Sequence, residues 1–400
     1  MSDLTPKIRF DGFIKNWQQH KFGDLMNITS VKRIHQSDWT NEGVRFLRAR
    51  DLISAYKNEV PEEYLYISKE KYEEYSILSG KVKVGDMLVT GVGTIGIPYI
   101  IKDNTPVYFK DGNIIWFQNE NIIEKNFLFY SFNSKTIQDF IFESAGVGTV
   151  GTYTIDSGKK TPIFKPDRKE QLKIGELFFQ LDNLIICHQR KHENLLKLKK
   201  TLLEKMFSID NEKTPKIRFK GFDKDWGKCK LSDMLIYEQP QEYIISSKII
   251  DEKRDIPVLT AGKSFILGYT EETTGIKKAC CYDPVIIFDD FMTTCHYVDF
   301  NFKIKSSAMK LLKTSSSKYD FYFAYTLLKS INYKVQNHER HWISKFSQFD
   351  INVPENNEQN NEQVAIGCLF KKLDTLIKLY QCKIDALKKI KMSLLEKMFV

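Results

Sequence analysis

The chain states the same short sequences twice, but at two different spacings. Thr5-Pro6-Lys7-Ile8-Arg9-Phe10 recurs letter for letter as Thr214-Pro215-Lys216-Ile217-Arg218-Phe219, an offset of 209. Gly12-Phe13 and Trp17 recur at the same offset as Gly221-Phe222 and Trp226. Leu202-Leu203-Glu204-Lys205-Met206-Phe207 returns as Leu394-Leu395-Glu396-Lys397-Met398-Phe399, and here the offset is 192. Each half therefore opens and closes on a shared signature, while the stretch between differs in sequence and length. The chain must fold as two copies of one scaffold that present different surfaces.

The shared closing segments have the pattern of long helices. Ile174, Leu181, Leu195 and Leu202 fall at heptad a positions, with Leu177, Leu184 and Leu198 at d. The second copy keeps the register with Ile366, Leu373, Tyr380, Leu387 and Leu394 at a, and Leu369, Leu376 and Ile390 at d. His188 and Tyr380 are equivalent a positions, Lys191 and Lys383 equivalent d positions, and such polar seam residues penalise slipped registers. Pro166-Asp167-Arg168-Lys169-Glu170 supplies a start signal for the first helix, with Asp167 as N-cap and Glu170 three residues on. A helix from about Glu170 to Phe207 is on the order of 55 Å long. A homodimeric coiled coil would bury such a stripe. One chain with two matched seams can do so alone, so the expectation is an intrachain antiparallel coiled coil.

The intervening segments mix short β-prone runs with helical ones. Met87-Leu88-Val89-Thr90, Pro98-Tyr99-Ile100-Ile101, Asn113-Ile114-Ile115-Trp116-Phe117, Val285-Ile286-Ile287-Phe288 and Tyr297-Val298-Asp299-Phe300 read as strands. Asn126 to Phe142 and Tyr319 to Ile331 read as helices. The expected fold class is mixed α/β (α+β): two repeated heads at 1–166 and 211–354, braced by long helices within 167–210 and 355–400.

Composition narrows the setting. An apolar fraction of 42% and an aromatic fraction of 13% are ample for two cores of ordinary domain size. The net charge of +9 is compatible with nucleic acid, but it is spread thinly along the chain. Seven cysteines with no even framework fit a reducing compartment. Met1 to Phe10 shows no signal-peptide core and no apolar run approaches a membrane span, so the expected location is cytoplasmic, with no membrane partner.

Several motifs imitate chemistry. Gly91-Val92-Gly93-Thr94-Ile95-Gly96 and Gly146-Val147-Gly148-Thr149-Val150-Gly151 satisfy GxGxxG. A dinucleotide site needs a helix to follow, and both continuations are β-like. These glycines are expected to make tight turns that bring backbone close to a neighbour. Gly262-Lys263-Ser264 lacks the opening glycine of a phosphate loop, Pro257 standing in its place. Cys280-Cys281 and Cys295-His296 lack zinc spacing and are expected to be buried structural thiols. No Asn- or Asp-Pro-Pro-Tyr/Phe run, nuclease metal motif or nucleophile triad stands out, so the chain reads as a recogniser with no catalytic residues and no cofactor or metal of its own.

The arrangement resembles the DNA-specificity subunit of type I restriction–modification systems over nearly all of the chain. Lys83-Val84-Gly85-Asp86-Met87-Leu88-Val89 leads into the Gly93–Gly96 turn as in that family. The helix starts also match: Ile163-Phe164-Lys165-Pro166 before Glu170-Gln171, and Ile351-Asn352-Val353-Pro354 before Glu362-Gln363. The second start departs by four extra residues. The resemblance implies two target-recognition domains, each reading one half of an asymmetric, interrupted site in double-stranded DNA. It implies a helix pair that sets the unread gap and docks two methyltransferase subunits, which bring S-adenosylmethionine and methylate adenine. Two restriction subunits, using ATP and Mg, would complete a nuclease. A two-headed coiled-coil adaptor for proteins is the alternative from a different class.

Contact residues follow less directly. In the first head the candidates are Lys32, Arg33, His35, Arg45, Arg48 and Arg50, because Arg45-x-x-Arg48-x-Arg50 suits forked contacts with guanine or phosphate. Ion pairs with Asp51 and neighbouring carboxylates are the equally weighted alternative. The loop from Gly148 to Lys160 adds Tyr153, Lys159 and Lys160. Its counterpart in the second head, with Arg340 and His341 falling near Thr152 and Tyr153, adds His338, Arg340, His341 and Trp342, and is read as having no core role. Lys263, Lys277 and Lys278 are candidates for phosphate contact.

Overall fold

The computed structural model describes residues 5–145, 151–207, 212–249, 253–260, 265–333, 335, 340–357 and 360–400. The chain divides into two compact units, 1–188 with 383–400, and 189–382. Each unit thus takes its head from one copy and the end of its long helix from the other.

The first unit holds a four-stranded antiparallel sheet in the order Asn27–Thr29, Ile114–Gln118, Met87–Thr90, Pro98–Ile100. A second sheet orders Trp39–Thr40, Leu65–Ile67, Val44–Leu47 and Val107–Phe109, the last pair parallel. Gln18–Lys21 pairs with Pro162–Lys165 at the base of the head. The second unit repeats this plan with different residues. Leu235–Glu238, Met309–Thr314, Val285–Asp289 and Cys295–Val298 form its antiparallel sheet. Ile266–Thr270, Ile256–Leu259 and Lys303–Ile304 form the smaller one, again with one parallel pair. Gly227–Lys230 pairs with Asp350–Val353. Four of the five expected strands form, and of the fifth, Tyr297–Phe300, only Tyr297 and Val298 lie in a strand, Cys295–Val298. The expected Asn126–Phe142 helix is two, Lys125–Phe132 and Lys135–Ser144, because the chain breaks at Asn133-Ser134.

The two repeated signatures meet in each unit, and they meet across copies. Ile8 N–H donates to the Lys397 carbonyl at 2.9 Å, and Ile217 N–H to the Lys205 carbonyl at 2.9 Å. The opening signature of one copy is thus held by the closing signature of the other. Arg9 donates from Nε and Nη2 to both oxygens of Glu170, at 2.6 and 2.7 Å. Arg218 does the same to Glu362, at 2.7 and 2.8 Å. Both glutamates are fully buried, so each needs its fork of donors. Phe399 packs at 5.6 Å from Phe127 and 5.7 Å from Phe178 in the first unit. Phe207 packs at 5.5 Å from Phe323 and 5.7 Å from Phe370 in the second. Gly175 and Gly367 allow a close approach: a Cβ on either would clash with the carboxylate of Glu124 or Asp320. Those carboxylates cap the helices Lys125–Phe132 and Phe321–Ser330.

The long helices run Arg168–Lys205 and Glu362–Met398. Asp182 is paired with Lys391 in the first unit, and Asp374 with Lys199 in the second. Residue numbers rise along one helix as they fall along the other, so the pairing is antiparallel. Each aspartate also accepts from a tyrosine, buried Tyr130 at 2.7 Å or half-buried Tyr322 at 2.8 Å. Burial, then the carboxylate, pushes both phenols far above their ordinary range, so they remain donors.

Two helix expectations need correction. The buried stripe runs along a and e rather than a and d: Ile174, Phe178, Ile185, Ile366, Phe370, Leu373, Ile384 and Met398 are buried. The d-position residues Leu184, Leu198, Leu376 and Ile390 are 40–49% exposed. Asp167 does cap Glu170 N–H at 3.0 Å, but the Glu170 side chain is taken by Arg9 and closes no reciprocal capping box. Cys280 and Cys281 are exposed, and of the set only Cys295 is a buried thiol, which burial pushes up to about 12. Among the described residues no helix is long and apolar enough to cross a membrane.

Two predictions follow the cross-copy packing. Phe399→Ala should cost about 3–5 kcal/mol, yet the loss should fall on the head at the opposite end of the sequence. Hydrogen exchange should rise in 125–132 and stay unchanged in 321–330; equal loss in both would contradict the packing. Glu170→Ala should cost about 3–5 kcal/mol by leaving Arg9 part-buried and unpaired, measured by denaturant unfolding of the first unit.

Candidate nucleic-acid interface

In each head the central strand of the larger sheet ends in a tight turn, and a later segment is tied back to that end. In the first, the Thr90 hydroxyl donates to the Thr94 carbonyl at 2.6 Å and accepts from Ile97 N–H at 3.0 Å. Gly93 and Gly96 take φ of +79° and +74°, and Gly93 and Thr94 face outward. Pro98–Ile100 follows as a strand, so the GxGxxG run is a turn between strands. Tyr153 N–H donates to the Gly91 carbonyl at 2.8 Å, where a Cβ on residue 91 would sit 2.8 Å from the Tyr153 carbonyl. In the second head Asp289 Oδ1 accepts from Phe291 and Met292 N–H at 2.8 and 3.0 Å, which leaves Met292 outermost. His341 N–H donates to the Asp290 carbonyl at 2.8 Å. Tyr153 and His341 are therefore structural equivalents, and residues 146–150 and 336–339, which precede them, lie outside the described residues.

The arginine set of the first head divides. Arg45 is largely buried, donating to Asp51 at 2.8 Å and to the Leu65 carbonyl at 2.9 Å, with Tyr64 stacked 4.4 Å away. Arg48 donates to Asp51 at 3.2 Å and to Glu63 at 3.0 Å. Burial pushes the Asp51 carboxyl above its ordinary range while Arg45 pulls it back, so the pair is a packing device. Arg45 and Arg48 are corrected accordingly, being committed to carboxylates inside the head. Arg50 also reaches Glu63 at 2.7 Å, but with its side chain 56% exposed it can exchange that partner for a phosphate. Arg33 is exposed on Asp111 at 2.8 Å, Lys32 lies 4.1 Å over the Tyr75 ring, and His35 is exposed.

The loop candidates divide by burial as well. Tyr153, His341 and Trp342 are buried in their cores, which corrects the view that this segment has no core role. Trp342 packs 5.2 Å from Phe288, and the Tyr153 hydroxyl sits 2.6 Å from that of Thr161. Their aromatic surface is used in folding, and none of the three is exposed. Lys159, Lys160 and Arg340 remain exposed. Lys277 is corrected too: its ammonium is held by Glu238 beside the Tyr243 ring, and the residue is buried. Lys278 is exposed. Lys263 and His338 lie outside the described residues.

The sequence pointed to His341 but not to Asp290 and Lys310, which are buried with it in the second head. The available signal was Asp289-Asp290, two acids directly after the apolar run Val285–Phe288. Among the described residues no group of three or more His, Cys, Asp or Glu side chains could hold a metal ion.

Arg45→Ala should destabilise the first head by about 2–4 kcal/mol, since Asp51 would lose its main buried partner. Arg50→Ala should change stability by less than about 0.5 kcal/mol, as expected of an exposed pair. Urea unfolding of the two variants checks the division.

Comparison with known proteins gives a consistent picture. Residues 14–197 match the family described as type I restriction modification DNA specificity domain. The type I restriction enzyme EcoR124I/EcoR124II specificity subunit of Escherichia coli is 45% identical over 139 residues, 34% of this chain and 33% of that protein. The MjaIX specificity subunit of Methanocaldococcus jannaschii is 24% identical over 238 residues, 56% of this chain and 52% of that protein. The chain thus spans about a third and about half of these two relatives. The crystal structure of a type I restriction–modification S subunit from M. genitalium has the same fold, with a TM-score of 0.66 at 15% identity over 99% of both chains.

Proposed function

We propose that the chain, whose residues 14–197 match the type I restriction modification DNA specificity domain, is the sequence-reading, non-catalytic subunit of a type I restriction–modification complex. Each head reads one half of a bipartite, asymmetric site in double-stranded DNA. The observation that carries this reading is the contrast between frame and surface. The two heads share strand order, turn position and anchoring bonds, yet differ at the residues that the turns and loops expose. Gly93 and Thr94 stand where Met292 stands, and Thr152 where Arg340 stands. A frame repeated with altered tips suits two readers of different base sequences.

The long helices suit a spacer. A helix of 38 residues is roughly 57 Å long, which exceeds the ~34 Å of one duplex turn that separates half-sites on one face. The exposed leucine-type residues at d, equivalent in both copies, give methyltransferase subunits an apolar strip to dock on. Two such subunits would bring S-adenosylmethionine and methylate one adenine per half-site. Two restriction subunits, with ATP and Mg, would act on unmethylated DNA, and the complex would work in the cytoplasm. Exposed Arg50, Lys32, Arg33, His35, Lys159, Lys160, Lys278 and Arg340 are the proposed contacts, and counterion release then makes affinity fall steeply with salt.

The test is a methylome. Co-expression with the cognate methyltransferase subunit in a methylation-free host should yield a bipartite N6-methyladenine motif with a fixed gap. Arg340→Ala should weaken DNA binding or relax one half of that motif. A soluble complex that deposits no chain-dependent methylation would overturn the reading and favour a protein adaptor.

A further inference from the structure

The heads differ at one buried place in a way that folding alone does not require. Register along the central strands equates Thr90 with Asp289, and hence Gly91 with Asp290; the facing strand equates Ile115 with Lys310. The anchoring bonds equate Tyr153 with His341. The first head fills this place with a glycine, an isoleucine and a tyrosine. Ile115 lies 3.5 Å from where a Cβ on residue 91 would be. The second head puts an acid, an amine and an imidazole there, and all three are at most 1% exposed.

The bonds of this trio converge on the segment that carries Arg340. The Asp290 carbonyl accepts from His341 N–H at 2.8 Å, and its Oδ1 accepts from Trp342 N–H at 2.8 Å. One aspartate therefore holds the two residues immediately after Arg340. Its other oxygen, Oδ2, has no hydrogen-bond partner among the described residues and faces the Lys310 ammonium at 3.8 Å. Lys310 donates to Gln239 at 2.9 Å and lies 5.2 Å over the Tyr237 ring. His341 Nδ1 meets the Tyr333 hydroxyl at 3.2 Å, while Nε2 has no partner among the described residues. Burial draws the Lys310 ammonium below its ordinary range, Asp290 holds it up, and the positive charge of Arg340 works against it. The charge of Arg340 is thus felt at Lys310, and Asp290 is the buried counter-charge that faces Lys310.

We propose that Asp290 and Lys310 are positioning residues for Arg340, setting its backbone and its local field so that the second head reads its half-site. The inference rests on the functional reading above. A buried charge pair is a poor source of stability compared with a packed apolar set, and the first head shows that an apolar set fits this frame. Removing the aspartate side chain would leave the His341 N–H bond to the residue 290 carbonyl in place, but would free Trp342 N–H and take the counter-charge from Lys310. Neutralising both charges with Asp290→Asn and Lys310→Met would keep the packing and the Oδ1 acceptor for Trp342 N–H, and would remove only the field.

Three variants in the intact methyltransferase complex decide the matter, read by the methylation motif at single-base resolution beside DNA affinity. They are Arg340→Ala, the near-isosteric pair Asp290→Asn with Lys310→Met, and the transplant Asp290→Gly, Lys310→Ile, His341→Tyr. The expected result is that the pair and the transplant blur the same half-site as Arg340→Ala. Discrimination at one or two base positions should fall roughly tenfold or more, while the other half-site and the gap stay unchanged. A second half-site that stays sharp in either folded variant would overturn the positioning role and leave the functional reading standing. Loss of both halves in every variant would mark the trio as structural only, and also overturn it. Absence of any bipartite motif from the parent complex would overturn the functional reading itself.

Discussion

The structure depends on a buried carboxylate that cannot be left alone. Glu170 and Glu362 sit fully buried at the starts of the long helices, where the guanidinium fork of Arg9 or Arg218 offsets their desolvation, joined at Glu362 by Trp226 Nε1 at 3.2 Å. That requirement ties the opening signature of each copy to the base of its own head. The neighbouring backbone bonds, Ile8 to Lys397 and Ile217 to Lys205, then tie it to the far end of the other copy's helix. Every unit is therefore completed by a segment from the other copy. The two offsets in the sequence are the trace of this arrangement. The two parts of each junction must keep their chemistry, whereas the distance between them along the chain is free to vary with the size of the head.

The frame was legible because its chemistry is repeated. Strand runs such as Met87–Thr90 and Val285–Asp289 are apolar on both faces and bounded by turn residues, so local pattern and final structure agree. Asp167 announced the helix start for the same reason. The seam was read at d when it lies at e, because Leu184, Leu198, Leu376 and Ile390 are as apolar as the residues that are buried. Periodicity reports which positions are apolar, and cannot say which of two flanks of the a row a partner helix covers. Burial of Ile185 and Ile384 settles it.

The candidate interface was less legible, and the reason is electrostatic. Arg45-x-x-Arg48-x-Arg50 has the spacing of a phosphate or guanine reader, but Asp51 lies within the same turn and Glu63 returns to it from a loop. A run of like charges in sequence gives no information about carboxylates brought from elsewhere. Likewise Tyr153, His341 and Trp342 sit in polar surroundings in the sequence yet are drawn into the cores by the backbone bonds at Gly91 and Asp290. The alignment of the two loops through those residues was nonetheless sound, since it rested on distance from a shared helix start.

The same logic separates what can change in each head from what cannot. The helix that follows the larger sheet, Lys125–Phe132 or Phe321–Ser330, meets the long helices twice: its tyrosine donates to Asp182 or Asp374, and its capping acid lies against Gly175 or Gly367. Its acid must stay short enough to pass Gly175 or Gly367, and its tyrosine must reach Asp182 or Asp374. Beyond that helix the turn tips after Thr90 and Asp289 are closed by bonds within their own heads. Thr90 can become Asp289, and Gly91 can become Asp290, provided the following turn still closes and the later segment is still tied back. That freedom at the tips, over a junction with almost none, is the physical condition under which one scaffold can carry two unlike surfaces in a single chain.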